Sequence, residues 1–131
     1  MWLATTLGWF SVVCARQNDG KAAAIDPDKM MIRARLRSHL EGLKERFPAL
    51  LDSTEITESA TSDYAFRIFV SKATWVSLAT ELASDVQYGN FKSAVLKRDG
   101  HSAYENALHA VWAVMARLQW AKEDKADELF D

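Results

Sequence analysis

The chain has 131 residues, of which 49% are hydrophobic and 26% charged, and its formal net charge is −2. This composition is that of a globular domain and excludes a largely disordered chain or a membrane protein. The charge is uneven along the chain. Residues 1–51 hold 8 basic and 5 acidic side chains, whereas residues 52–131 hold 8 basic and 13 acidic ones. A surface that attracts polyanions is therefore expected to be local and to draw mainly on the first part.

The chain begins with the apolar run MWLATTLGWFSVVCA, which lacks the basic start and the small-residue processing site of a secretory leader. It is also too short to span a bilayer, so we predict strands at residues 2–5 and 9–16 and no membrane partner. Cys14 is the only cysteine and cannot form an intramolecular disulfide, which suits a cytoplasmic location.

The next elements follow from turn residues and periodicity. Residues 17–29 (QNDGKAAAIDPDK) carry two turn signals and are predicted to form an exposed loop. Residues 30–35 (MMIRAR) alternate between apolar and polar side chains, which indicates a half-buried strand. An amphipathic helix follows, with apolar residues spaced by four and three positions from Leu36 to Leu50, and Pro48 is expected to end or loosen its last turn.

In residues 52–131 we predict two strands and three helices. The strands are placed at 54–58 and 63–70. Ser71 is expected to begin the first helix, and Asn90 the second. Ser102 and Glu105 have the spacing of a capping box at the start of the last helix.

This order of elements predicts one α+β domain over residues 1–120, followed by an acidic, partly disordered tail over 121–131. We expect an antiparallel sheet with helices packed on one face and an additional C-terminal helix. If strand 30–35 lies between strands 9–16 and 63–70, the sheet is ferredoxin-like in a permuted order, with its usual last strand coming first.

The stretch SDYAFRIFV (62–70) resembles the octamer of RNA-recognition motifs, in which aromatic side chains stack on bases. That orientation would bury Arg67, which is costly for an unpaired guanidinium. The opposite orientation turns Tyr64, Phe66, Ile68 and Val70 into the core and is therefore favoured.

The favoured orientation places Arg67 and Phe69 on the same face as Arg33 and Arg35. These four residues are our candidate anion-binding site, for a phosphate, a carboxylate or single-stranded nucleic acid, with Phe69 as the only aromatic side chain expected there. The alternative is that the arginines pair with Glu55 or Glu58, or only keep the face soluble.

Other residues that could carry chemistry are few. The three histidines lack the spacing of a metal site, so no metal or cofactor is predicted, and Glu105 and His109 are expected to form a hydrogen-bonded pair. A small enzyme that uses Cys14 or His109 is a third option for the function.

The last helix repeats apolar residues at four- and three-residue intervals, from Tyr104 to Leu118. This seam is typical of a helix that packs on a sheet. Trp112, Met115 and Trp120 are the candidate residues for an alternative role, an interface with a second copy or a protein partner.

The segments GWFSVVCAR, RARLRSHLEGLKER, DYAFRIFV, YGNFKSAV and YENALHAVWAVMARLQ resemble those of a group of short bacterial proteins of unknown function, over roughly residues 2–119. The resemblance implies a bacterial, cytoplasmic protein with one intact domain. Together these features predict a binding or interaction module that self-associates and has no catalytic activity, with anion or single-stranded nucleic-acid binding as the alternative.

Overall fold

The computed structural model describes residues 1–18 and 22–121. Within this part of the chain there are five strands and five helices. The strands are β1 (Trp2–Thr5), β2 (Gly8–Arg16), β3 (Ile25–Ala34), β4 (Thr57–Glu58) and β5 (Phe66–Ser71). The helices are α1 (Arg37–Arg46), α2 (Pro48–Leu51), α3 (Lys72–Ser84), α4 (Phe91–Asp99) and α5 (Ala103–Trp120).

The five strands form one antiparallel sheet in the order β1-β2-β3-β5-β4. The prediction of an α+β fold with an antiparallel sheet is confirmed, and so is the central place of β3 between β2 and β5. The expected loop at 17–29 is too long, because β3 already begins at Ile25. Pro27 belongs to a turn signal in the sequence, but it lies within β3. It lies where the register between β2 and β3 shifts, and a residue without an N–H is tolerated at such a site.

One face of the sheet is covered by α1, α2 and α3. Apolar side chains of β2, β3 and β5 point to this face and form a buried cluster with helical residues. The most deeply buried members are Phe10, Ile32, Leu40, Leu43, Leu51, Ile68 and Leu78. Burial of such side chains contributes about 1.5–3 kcal/mol each, and it is the main term that holds α1 and α3 on the sheet.

Gly8 lies where β2 approaches α1. A Cβ atom at this position would lie 2.3 Å from Cγ of His39, which is far inside van der Waals contact. His39 is buried, and its Nδ1 accepts a hydrogen bond from the backbone N–H of Trp9 at 3.3 Å. Gly8 therefore permits the close approach of strand and helix, in addition to ending the β1–β2 turn.

Capping side chains begin the later helices as predicted. Ser71 accepts from the backbone N–H of Thr74, and Asn90 from that of Ser93. Ser102 accepts from the N–H of Glu105. Each such bond satisfies one of the donors that a helix leaves free at its first turn, and contributes about 1 kcal/mol.

The chain divides into two compact units, residues 1–87 and 88–131. The first unit holds the sheet with α1, α2 and α3, and the second holds α4 and α5. The single domain expected over residues 1–120 stays a prediction. Residues 122–131 of the predicted acidic tail lie outside the described residues. No helix in the described ranges has the length and apolar character needed to cross a membrane.

Candidate functional site

Arg33 and Arg67 lie directly opposite each other on β3 and β5, on the face of the sheet away from α1 and α3. Arg33 is also opposite Ser11 of β2 and donates a hydrogen bond from its Nη2 to the Ser11 hydroxyl at 2.7 Å. We call this side of the sheet the arginine face, defined by Ser11, Arg33, Arg67 and their same-side neighbours. The alternation of β3 thus places Arg33 as the sequence predicted.

Tyr64 joins Arg33 to Arg35. The guanidinium carbons of Arg33 and Arg35 lie 4.7 and 4.2 Å from the centre of the Tyr64 ring. A guanidinium over an aromatic ring gains about 0.5–2 kcal/mol. Tyr64 is buried as predicted, but the guanidinium groups cover it, and it is not part of the cluster beneath the helices. It precedes β5, which begins only at Phe66, and so does not follow the alternation of that strand.

The guanidinium of Arg67 is held by two hydrogen bonds and a contact with sulfur. Its Nη2 donates to the Ser62 hydroxyl at 2.5 Å and to the backbone carbonyl of Tyr64 at 3.1 Å. Its Nη1 lies 3.4 Å from the sulfur of Met31. The Nε–H groups of Arg67 and Arg33 are both buried, and neither has a hydrogen-bond partner within residues 1–18 and 22–121. A buried donor without a partner costs about 1–3 kcal/mol.

The positive charge of this cluster is not balanced by a close ion pair among the described residues. In the part of the chain that the structure describes, Arg33, Arg35 and Arg67 form no ion pair within 4.0 Å. The expected alternative, pairing with Glu55 or Glu58, is not observed. Like charges directly opposite each other on a sheet are destabilising, so the cluster is unfavourable for the fold alone.

The environment of Arg33 lowers the pKa of its guanidinium. Burial is the main cause, and the positive charges of Arg67 and Arg35 act in the same direction, while Tyr64 and Asp63 oppose them. A cation whose pKa is lower in the folded than in the unfolded state costs stability wherever it is protonated, and this cost disappears only as the pH rises through that pKa. At neutral pH an arginine is charged, so an anion beside Arg33 would offset the cost.

Phe69 lies on the arginine face two residues after Arg67, as predicted, and is 38% exposed. The ammonium group of Lys29 lies 4.9 Å from the centre of its ring. Lys29 therefore adds a further positive charge to this face. The sequence did not predict this charge on the sheet because residue 29 was assigned to a loop.

Phe69 is not the only aromatic side chain available here. Trp2 of β1 pairs with Ser11, which places Trp2 in one row across the sheet with Arg33 and Arg67. Trp9 precedes Ser11 by two residues and so points to the same side, and the Trp2 and Trp9 rings are 6.1 Å apart. The alternation of β2 was a signal in the sequence that could have revealed Trp9, whereas the place of Trp2 depends on the register between β1 and β2.

A shallow cavity of about 620 Å³ adjoins the arginine face over β2 and β3. Its lining includes the side chains of Val13, Met31 and Arg33. These residues place apolar groups next to the positive charge of Arg33, a combination that suits a ligand with an anionic and an apolar part.

Of the two residues considered for catalysis, Cys14 is among those that line the cavity over β2 and β3, whereas His109 lies on α5. Cys14 of β2 is half-buried and packs against the core cluster, as expected for a small apolar side chain. Glu105 and His109 form the predicted hydrogen bond, with 2.6 Å between Oε1 and Nε2, and His101 lies 3.6 Å from the same carboxylate. Glu105 and His109 line a cavity of about 220 Å³ beside α4. Among the described residues no three His, Cys, Asp or Glu side chains are grouped to hold a metal ion.

The seam of α5 is buried only in its first half. Tyr104 and Leu108 are buried, whereas the apolar residues from 111 onward are exposed. The three candidate interface residues are among them, with exposed fractions of 56% for Trp112, 55% for Met115 and 72% for Trp120. Trp112 also contacts α4, since the ammonium group of Lys92 lies 4.7 Å from the centre of its ring. The buried part of the seam therefore ends at Leu108.

Comparison with known proteins finds no relative. No protein-family model, no curated protein and no solved structure matches the chain.

Proposed function

We propose that the chain is a binding module without catalytic activity, and that its arginine face holds an anionic ligand, a phosphate or a carboxylate. The observation that carries this proposal is the direct opposition of Arg33 and Arg67, which form no ion pair within 4.0 Å with any described residue. An anion bound between them turns a repulsive pair into two charge-assisted contacts, each stronger than a neutral hydrogen bond.

The surroundings support the same ligand chemistry. Ser11 and Tyr64 hold the guanidinium of Arg33 in place, so less side-chain freedom is lost when an anion binds. Arg35 is exposed and shares the Tyr64 ring, which makes it a third donor group for the same ligand. Planar, forked donors of this kind match the oxygens of phosphates and carboxylates.

Isothermal titration with tripolyphosphate at low salt tests the proposal. We expect binding by the wild-type chain that weakens as salt increases, and at least about tenfold weaker binding for Arg33→Gln and Arg67→Gln, since a charged contact contributes about 1.5–3 kcal/mol. Arg37→Gln is the matched control, because Arg37 lies on α1 and already pairs with Glu41. Absence of tripolyphosphate binding at low salt, or equal losses in the control, would refute the site.

A second candidate function is self-association through the last turns of α5. Val111, Met115 and Leu118 continue the four- and three-residue spacing of a helix that packs against another helix, and all three are exposed. We propose a second copy of α5 as the occupant, because such a seam is complementary to itself. The segment covers only about three helical turns, far less than the roughly 800 Å² per partner of a stable interface, so the dimer should be weak and concentration-dependent.

Sedimentation over a range of concentrations tests this second function. We expect the average mass to rise with concentration for the wild-type chain and to stay monomeric for Met115→Glu. Arg117→Glu, a charge change on the same helix but outside the 111-115-118 seam, should associate like the wild type. A wild-type chain that stays monomeric at all concentrations would exclude self-association.

We further propose that the sheet is a permuted relative of the ferredoxin-like arrangement and that the protein is a bacterial, cytoplasmic one. The central position of β3 and the location of α1 and α3 on one face support the first point. The single cysteine supports the second, since thiols stay reduced in the cytoplasm.

A further inference from the structure

The arginine face combines positive charge with flat aromatic surface on neighbouring strands. Trp2, Ser11, Arg33 and Arg67 form a single row across β1, β2, β3 and β5. At about 4.8 Å between strands, this row spans roughly 14 Å, which is room for a few nucleotides. Phe69 extends the face along β5 on the far side of Arg67 from Tyr64.

The aromatic side chains are accessible. Trp2 is 72% exposed at the β1 edge, and its ring is 6.1 Å from that of Trp9. Phe69 is covered in part by Lys29, whose flexible side chain could move from the ring to a phosphate. Exposed aromatic rings beside unpaired cations are the two components of proteins that bind single strands, where bases stack on the rings and the backbone follows the charge.

We infer that the ligand of the arginine face is single-stranded nucleic acid, with phosphates on Arg33, Arg35 and Arg67 and bases stacked on Trp2 and Phe69. This inference rests on the proposed anion site and adds a requirement for the aromatic rings. A duplex keeps its bases stacked inside and cannot use Trp2 and Phe69. An acidic peptide would satisfy the arginines but would leave both rings in water. The net charge of −2 repels polyanions globally, so the attraction is local to this face.

These aromatic residues are not the ones that an RNA-recognition octamer would use. In that arrangement Tyr64 and Phe66 would present their rings to bases, but Tyr64 is buried beneath two arginines and Phe66 packs against the core. The stacking surface comes instead from β1 and from Phe69. The prediction thus separates two sets of aromatic residues that mutation can test independently.

The test is fluorescence anisotropy with a labelled oligothymidylate of about 12 nucleotides, which covers a typical single-strand site. We expect binding at low salt that weakens steeply between about 50 and 200 mM. Trp2→Ala and Phe69→Ala should each weaken binding by about fivefold or more, and Trp2→Phe, which keeps a ring, should bind nearly as the wild type. Trp120→Ala is the matched control, because Trp120 is also 72% exposed and lies on α5.

The outcomes separate this inference from the anion site on which it rests. Binding of oligothymidylate that depends on Arg33 but not on Trp2 or Phe69 would overturn the inference and leave the anion site standing. Equal affinity for a duplex or for polyglutamate would do the same. No binding of either oligothymidylate or tripolyphosphate would overturn both. A melting curve of each variant confirms that it is folded when its binding is measured.

Discussion

The two faces of the central sheet are built from the same strands but follow different rules. On the face beneath α1 and α3, Ile32 of β3 lies opposite Ile68 of β5, and both are fully buried. One residue further along, on the arginine face, Arg33 lies opposite Arg67 with no acidic partner in the described part of the chain.

Burial stabilises the fold on one face of the sheet, whereas the arginine pair on the other face does not contribute to stability. The apolar pairs are stabilised by leaving water, which accounts for the buried cluster on the helix-covered face. The arginine pair destabilises the fold because its two positive charges repel each other. It also buries two Nε–H groups that have no hydrogen-bond partner in the described part of the chain. Proteins tolerate such local costs mainly at functional sites, where a ligand offsets them.

Substitutions at two adjacent residues of β5, one on each face of the sheet, should differ most in the free energy of unfolding. Ile68→Ala removes a fully buried side chain and should lower the free energy of unfolding by about 2–5 kcal/mol. Phe69→Ala, on the adjacent residue, should change it by less than about 1 kcal/mol because the ring is already partly in water. Urea unfolding of both variants measures the contrast. Equal losses would mean that both faces belong to the core.

The next effect concerns the contact between the sheet and α1. Gly8→Ala adds a methyl group that meets the ring of His39, and we expect a loss of about 1–3 kcal/mol from overpacking and from the positive φ of this residue. Gly89→Ala is the control, since a Cβ there meets nothing within 4 Å. Thermal unfolding compares the two variants. An unchanged melting temperature for Gly8→Ala would show that α1 can move away from β2.

The smallest expected effect on stability is at the arginine pair. Arg33→Met loses the hydrogen bond to Ser11 and the contact with the Tyr64 ring, but it also removes the repulsion and one buried donor that has no partner among the described residues. These contributions nearly cancel, and we expect a net change within about 1 kcal/mol. Removal of one partner from a buried ion pair would instead cost about 3–5 kcal/mol. A loss of that size in urea unfolding would show that Arg33 is part of the fold's own stabilising network.

Much of the helix-covered face could be predicted from sequence, because alternation and helical spacing report burial directly. The cap at Ser71 and the central place of β3 followed from the same local signals. The first residue of β3 could not be predicted from sequence, because a proline between two aspartates usually indicates a turn. Pro27 is tolerated in this strand only because the pairing with β2 is irregular there.

The candidate site was predicted only in part. The orientation of Arg33, Arg35 and Arg67 followed from the cost of burying Arg67. The position of Tyr64 beneath them depends on the chain before β5, which is irregular, and periodicity carries no information there. The addition of Trp2 depends on the pairing of β1 with β2, a register that no single strand reveals.

The melting temperature with and without tripolyphosphate shows whether the arginine face binds an anion. At a concentration about 100 times the dissociation constant, the wild-type chain should gain about 2.7 kcal/mol and melt several degrees higher, at constant ionic strength. Arg33→Met should melt near the wild-type temperature without tripolyphosphate and, with binding at least about tenfold weaker, gain no more than about half as much stability when it is added. A wild-type chain that does not respond, together with an Arg33→Met variant that melts many degrees lower, would contradict anion binding by this face.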